Sequence, residues 1–262
     1  MESDRDRQRL SYRLCWAGFS ILAVSTIAGA FDAIGNLLLF FSGRFQGLGA
    51  VLDLPSYDFA IDTLRNWPRM IGAILLWAAW PESDWKRRAG LLALMSMFDV
   101  GLWTSRFAVP LGLAADPLGH QFLSMIVGIT LRWSELILMG GLAASVARQV
   151  GMVDLDDFAR AQRTICYTGA SIFFFFLIQQ IDWARDWPLA PLPLNPTGFM
   201  ALLAYRLILC ISLTQASLLT LTAARSAAHG LKLMAVEDRS FDPWTDGQDA
   251  AGQLALTGTR SA

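Results

Sequence analysis

Six stretches of this chain, residues 14–41, 59–80, 89–113, 121–147, 164–182 and 199–224, are apolar over roughly the 20 positions a helix needs to cross the hydrocarbon core of a bilayer. No other feature limits the fold as much. In lipid every backbone N–H and C=O must find its partner inside the protein, which leaves helices as the structure for apolar runs of this length. The expectation is an all-α polytopic membrane bundle of six transmembrane helices. It is organised as a cytoplasmic N-terminal segment (1–13), a transmembrane domain (14–225) and a polar, disordered cytoplasmic tail (226–262). Composition agrees: 54% of the 262 residues are hydrophobic and only 16% charged, against about 25% in soluble domains.

Basic residues set the expected orientation, because Lys and Arg in short loops stay on the cytoplasmic side. With six spans, Arg5, Arg7, Arg9, Arg13, Lys86, Arg87, Arg88, Arg148, Arg160, Arg163, Arg225 and Lys232 fall on the side of both termini. Both termini are therefore expected in the cytoplasm. Of 21 basic residues only Lys86 and Lys232 are lysine, a usage expected of a GC-rich bacterial genome, so the membrane expected is a bacterial inner membrane. A cleaved leader ending near Ala28–Phe31 is the rival reading of the first span. The apolar run continues through Phe41, which argues for a retained helix. "ADPLGH" and "LNPTGF" place Pro117 and Pro196 at the first helical positions of spans four and six.

Several function classes are excluded at this stage. A net charge of -1 offers no basic field for nucleic acid. Cys15, Cys166 and Cys210 are odd in number and far apart, so they form neither a disulfide framework nor a CxxC site. His120 and His229 are predicted on opposite sides of the membrane, which rules out a shared haem, and only Asp116, four residues before His120, stands at ligand spacing to either, a single pair and too little for a metal site. The spans contain serines but no histidine partner for a hydrolytic nucleophile. No cofactor and no metal are expected, and the partners expected are the lipid bilayer and a small solute or proton.

What remains is a set of charges inside the apolar runs. Helices one, three and five each carry an acid after a bulky apolar residue: Phe31-Asp32, Phe98-Asp99 and Ile181-Asp182. Helices two, four and six each carry an arginine: Arg65 or Arg69, Arg132, and Arg206. The separation of Asp32 from Arg65 equals that of Asp99 from Arg132, whereas Asp182 and Arg206 lie closer, so three repeated helical hairpins are one reading of the pattern. At 1.5 Å per residue Asp99 lies about 17 Å along its helix from Arg88, near the midplane, and Arg106 about 27 Å. Counting from Arg148 puts Glu135 at about 20 Å and Arg132 at about 24 Å. Asp32, Asp99, Arg106, Arg132, Glu135, Asp182 and Arg206 thus form the candidate site, in the outer half of the membrane.

An ionised side chain at the bilayer centre costs about 2.5–3.5 kcal/mol on insertion scales, so these groups are expected to face one another or water. Three readings follow. The first is binding or transport of a small anionic solute, or of protons, through the Asp/Arg cluster. The second is a non-catalytic membrane subunit or assembly factor, in which Asp99 with an Arg, and Arg132 with Glu135 three residues on, are structural pairs. The third is an intramembrane enzyme on a lipid-linked substrate with Asp99 or Glu135 as acid or base.

Overall fold

The computed structural model describes residues 2–42, 57–105, 117–151, 155–186 and 196–240. Among them the chain forms six helices and no strand: α1 Glu2–Phe41, α2 Tyr57–Ala79, α3 Ser83–Ser105, α4 Pro117–Gln149, α5 Leu155–Asp186 and α6 Pro196–Ser240. Pro117 and Pro196 open their helices, as the missing proline N–H permits in a first turn.

Each helix packs on its neighbours in sequence, and α6 closes the ring on α1. The fourth helix also reaches α6 directly and is nearly enclosed. Paired positions fix the directions. Tyr12 of α1 meets Trp80 just after α2, while Asp32 meets Arg65 near the start of α2. Likewise Tyr12 lies against Gly230 and Phe40 against Phe199, so α1 and α6 are antiparallel. Arg88 with Ser145 and Ser96 with Glu135 give the same sense for α3 and α4.

Small residues let the helices approach. A Cβ on Gly72 would stand 2.8 Å from the Gly18 carbonyl oxygen, so α1 and α2 touch backbone to backbone there. Gly169 of α5 is filled in the same way by the Trp133 ring of α4. The "GGLAAS" run in α4 looks the better contact site in sequence, yet Gly140 makes only ordinary contacts and Gly141 faces open space. Phe19, Leu22, Leu76, Leu92, Leu136, Leu142 and Leu219 form the fully buried core.

Three helices, Asp4–Phe41, Ile126–Gln149 and Phe199–Val236, are long and apolar enough to cross a membrane. They mark a membrane-associated protein, and they are three among the described residues where the sequence led us to expect six. Charge interrupts two of the others: α2 carries Asp62, Arg65 and Arg69, and α3 carries Asp84, Lys86, Arg87, Arg88 and Asp99, whereas α5 opens with Asp156, Asp157, Arg160 and Arg163 and then has no charge from Thr164 to Ile181. The last helix does not stop near 225, where polarity rises, but continues to Ser240. Ala227 is fully buried and Gly230 receives the Tyr12 ring, so packing on α1 carries the helix beyond its apolar span. Residues 241–262 lie outside the described part.

Candidate functional site

The charges come together at one end of the ring, toward which α1 and α3 run and from which α2, α4 and α6 start. At the centre is a residue that sequence reasoning did not select for the site. Arg69 of α2 donates from one guanidinium nitrogen, Nη1, to both Asp99 Oδ2 of α3 (3.1 Å) and Glu135 Oε2 of α4 (2.5 Å). Ser96, one turn before Asp99, donates its hydroxyl to the other Glu135 oxygen at 2.8 Å. Glu135 is 0% exposed and Arg69 and Asp99 are buried. Two carboxylates therefore share one cation, and three helices are tied at one point.

Local sequence explains how Arg69 is held there. Pro68 stands inside α2; it has no N–H to give the Leu64 carbonyl and disturbs the turn around it. The hydroxyl of Ser25 on α1 donates to the neighbouring Arg65 carbonyl, and Ser25 Oγ in turn accepts from Arg69 Nε at 3.4 Å. One α1 serine thus serves both the disturbed backbone and the arginine after it.

One helical turn before Arg69, Arg65 repeats the arrangement. It pairs with Asp62 on its own helix and, at 4.0 Å, with Asp32 of α1. Asn36 donates its side-chain amide to Asp32 Oδ1 at 3.0 Å. Again two acids share one arginine.

That leaves Arg132 and Arg206. Arg132 makes no ion pair or hydrogen bond among the described residues, and its Nε is buried without an acceptor. The expected Arg132–Glu135 pair is not formed, because Glu135 is taken by Arg69 across the bundle. Arg206 donates to the Asn36 carbonyl oxygen at 2.9 Å and lies 5.2 Å from the centroid of the Phe40 ring, with no carboxylate within 4.0 Å among the described residues. Both arginines line a cavity of about 300 Å³ that Asp32 and Arg65 also line. Its remaining wall is largely α6, with Leu202, Leu209 and Leu213. A second cavity of about 270 Å³, lined by Asp62, Asn66, Asp99 and Trp103, lies on the other side of Arg65 and Arg132, which border both. Between Arg132 and the Arg69–Glu135 pair is a void of about 10 Å³, about the size of one water.

Of the seven residues singled out in the sequence, the structure gathers Asp32, Asp99, Arg132, Glu135 and Arg206. Arg106 lies outside the described residues, as does the side chain of Asp182, whose backbone belongs to α5. Arg65, Arg69 and Asp62 are added. The signal for them was present as charge in the first half of the second apolar run. In the sequence either arginine could be the one that helix two contributes, and nothing there shows that both are used.

Neutral cross-links accompany the charges. Thr26 and Thr220 approach to 3.4 Å between α1 and α6, and the buried Gln162 of α5 donates to the Ser212 carbonyl of α6 at 3.0 Å. No group of three or more His, Cys, Asp or Glu among the described residues is arranged to hold a metal.

Fold and site together define a class: an all-helical, membrane-associated bundle that turns its charges inward. Compared with protein-family models, curated proteins and solved structures, the chain matches none of them.

Proposed function

We propose that this is a six-span inner-membrane protein with both termini cytoplasmic, which binds a small anionic solute in the arginine-lined cavity and conducts it, or protons with it, across the bilayer. The observation that carries the reading is the uneven sharing of charge. Four arginines and four acids meet in the cluster, but the acids are used two to one on Arg65 and Arg69. Arg132 and Arg206 are left facing one cavity with no carboxylate in ion-pair contact with either among the described residues. Guanidinium groups in that position are suited to bidentate capture of a carboxylate or phosphate.

Six spans are supported by where the apolar surface lies. Leu64, Trp67, Ile71 and Ile74 on α2, Leu91, Leu94 and Phe98 on α3, and Phe174, Phe175 and Ile178 on α5 are exposed. Charge interrupts the apolar runs of α2 and α3, yet their ion-paired groups point inward and their outer faces are hydrocarbon. Arg87, Arg88, Arg148 and Arg160, each paired with a nearby acid, fall at the end opposite the cluster, as cytoplasmic anchors would.

Purified protein in liposomes tests the proposal. Uptake of a small anion is expected to fall at least tenfold in Arg132→Gln and to change in Asp99→Asn; uptake equal to wild type in both variants overturns it. One observation favours a second reading for part of the cluster. The Asp99–Arg69–Glu135 group is closed on itself, as a structural lock in a non-catalytic subunit or assembly factor would be.

A further inference from the structure

The two larger cavities differ in kind. The one bordered by Asp62 and Asp99 balances two acids against Arg65 and Arg132. The other places three guanidinium groups, those of Arg65, Arg132 and Arg206, around a single carboxylate, Asp32, which is already engaged by Arg65 and Asn36. Among the described residues neither Arg132 nor Arg206 has a carboxylate within ion-pair distance, and Asp32 is the one acid lining this space with them. Facing them, Leu202, Leu209 and Leu213 of α6 supply a hydrocarbon wall, and Gly29 and Ala33 of α1 keep the space open.

A hydrated inorganic ion would satisfy the arginines but leave that wall against water. A purely apolar guest would cover two half-buried guanidinium groups without giving them an acceptor. We infer that the cavity takes an amphiphilic dianion, a phosphate monoester with a short hydrocarbon body, with its acid group on Arg132 and Arg206 and its hydrocarbon on the α6 leucines. At about 300 Å³ the space is at the small end of ligand pockets and suits a body of a few carbons. This inference rests on the anion-binding reading above and narrows its ligand. The same phosphate ester chemistry is carried by a soluble alkyl phosphate and by the headgroup of phosphatidic acid.

The test is calorimetric titration of the full chain in nanodiscs of phosphatidylcholine with butyl phosphate, inorganic phosphate and butanol. Butyl phosphate is expected to bind about tenfold or more tighter than inorganic phosphate, since each buried methylene contributes about 0.8 kcal/mol, and butanol not at all. Arg132→Gln and Arg206→Gln are each expected to weaken butyl phosphate tenfold or more. Arg132→Gln removes a half-buried cation that has no hydrogen bond or ion pair among the described residues, so its ligand-free thermal midpoint should stay at or above wild type. Leu209→Asn should lower affinity for butyl phosphate toward that for inorganic phosphate and leave the latter unchanged. Equal affinity for the two phosphates in wild type overturns the inference while leaving anion binding intact. Binding of neither overturns both. With phosphatidic acid in the nanodisc, competition with butyl phosphate assigns the site to a lipid headgroup, and unchanged binding assigns it to a free ester; either supports the shared chemistry.

Discussion

At the scale of single residues, a buried cation shared by two acids makes the cost of substitution strongly asymmetric. Arg69→Met leaves Asp99 and Glu135 facing each other without a counterion, and it is expected to lower stability by about 3–5 kcal/mol. Adding Glu135→Gln to that variant removes one of the stranded charges and should restore part of the loss. Unfolding of the purified single and double variants in detergent checks both; a double variant weaker than Arg69→Met alone would be the wrong sign. Ser25→Ala removes a hydroxyl that serves both a backbone carbonyl and Arg69, and about 1 kcal/mol is expected. Asp99, Glu135 and Arg132 are visible in the sequence because each interrupts an apolar run. The partner of Glu135 is not. Arg132 stands three positions away on the same helix, whereas Arg69 lies on another helix. Arg65 and Arg69 share one face of α2, so it is the height of α2 against α3 and α4 that brings Arg69, and not Arg65 one turn earlier, level with Asp99 and Glu135.

Among the helices, contact is set by where side chains are missing. Gly72→Leu would drive a side chain into the α1 backbone at Gly18, and it should destabilise by about 1–3 kcal/mol or more, in the range of overpacked cores. Gly101→Ala is the control: its Cβ would meet nothing within 4 Å, so the change should be neutral or slightly stabilising by helix propensity. Thermal denaturation of the two variants separates them, and equal effects would mean that α1 and α2 are not in backbone contact. The proline starts of α4 and α6 are legible in the sequence because Pro117 and Pro196 impose them locally. The length of α6 is not. Residues 226–240 read as polar tail, and what makes them helical is a surface on α1 that becomes visible only when the two helices lie together.

For the whole molecule, the antiparallel ring puts residues 2–10, 80–88, 148–151, 155–157 and 225–240 at one end and the charge cluster toward the other. If the ring spans the membrane as proposed, single cysteines report the two sides. Ser83→Cys and Ser240→Cys should be protected from an impermeant thiol reagent added outside intact cells, and Ser42→Cys should react. The three native cysteines are buried and give a low background. Labelling of Ser240→Cys from outside would reverse the topology.

Ring closure also orders the events of synthesis. The Asp99–Arg69–Glu135 lock with Ser25 and Ser96 draws only on α1 to α4, so it can assemble while the chain is still being made. The arginine-lined cavity draws Arg206 and its leucines from α6, and α6 is also the helix that covers the inner face of α1. Until α6 is made, Tyr12 lacks the surface at Gly230 on which it packs. Chain order therefore lets the Arg69 lock close before the arginine-lined cavity is complete, and if that cavity binds an anion as proposed, a chain without α6 lacks Arg206 and the leucines needed for it.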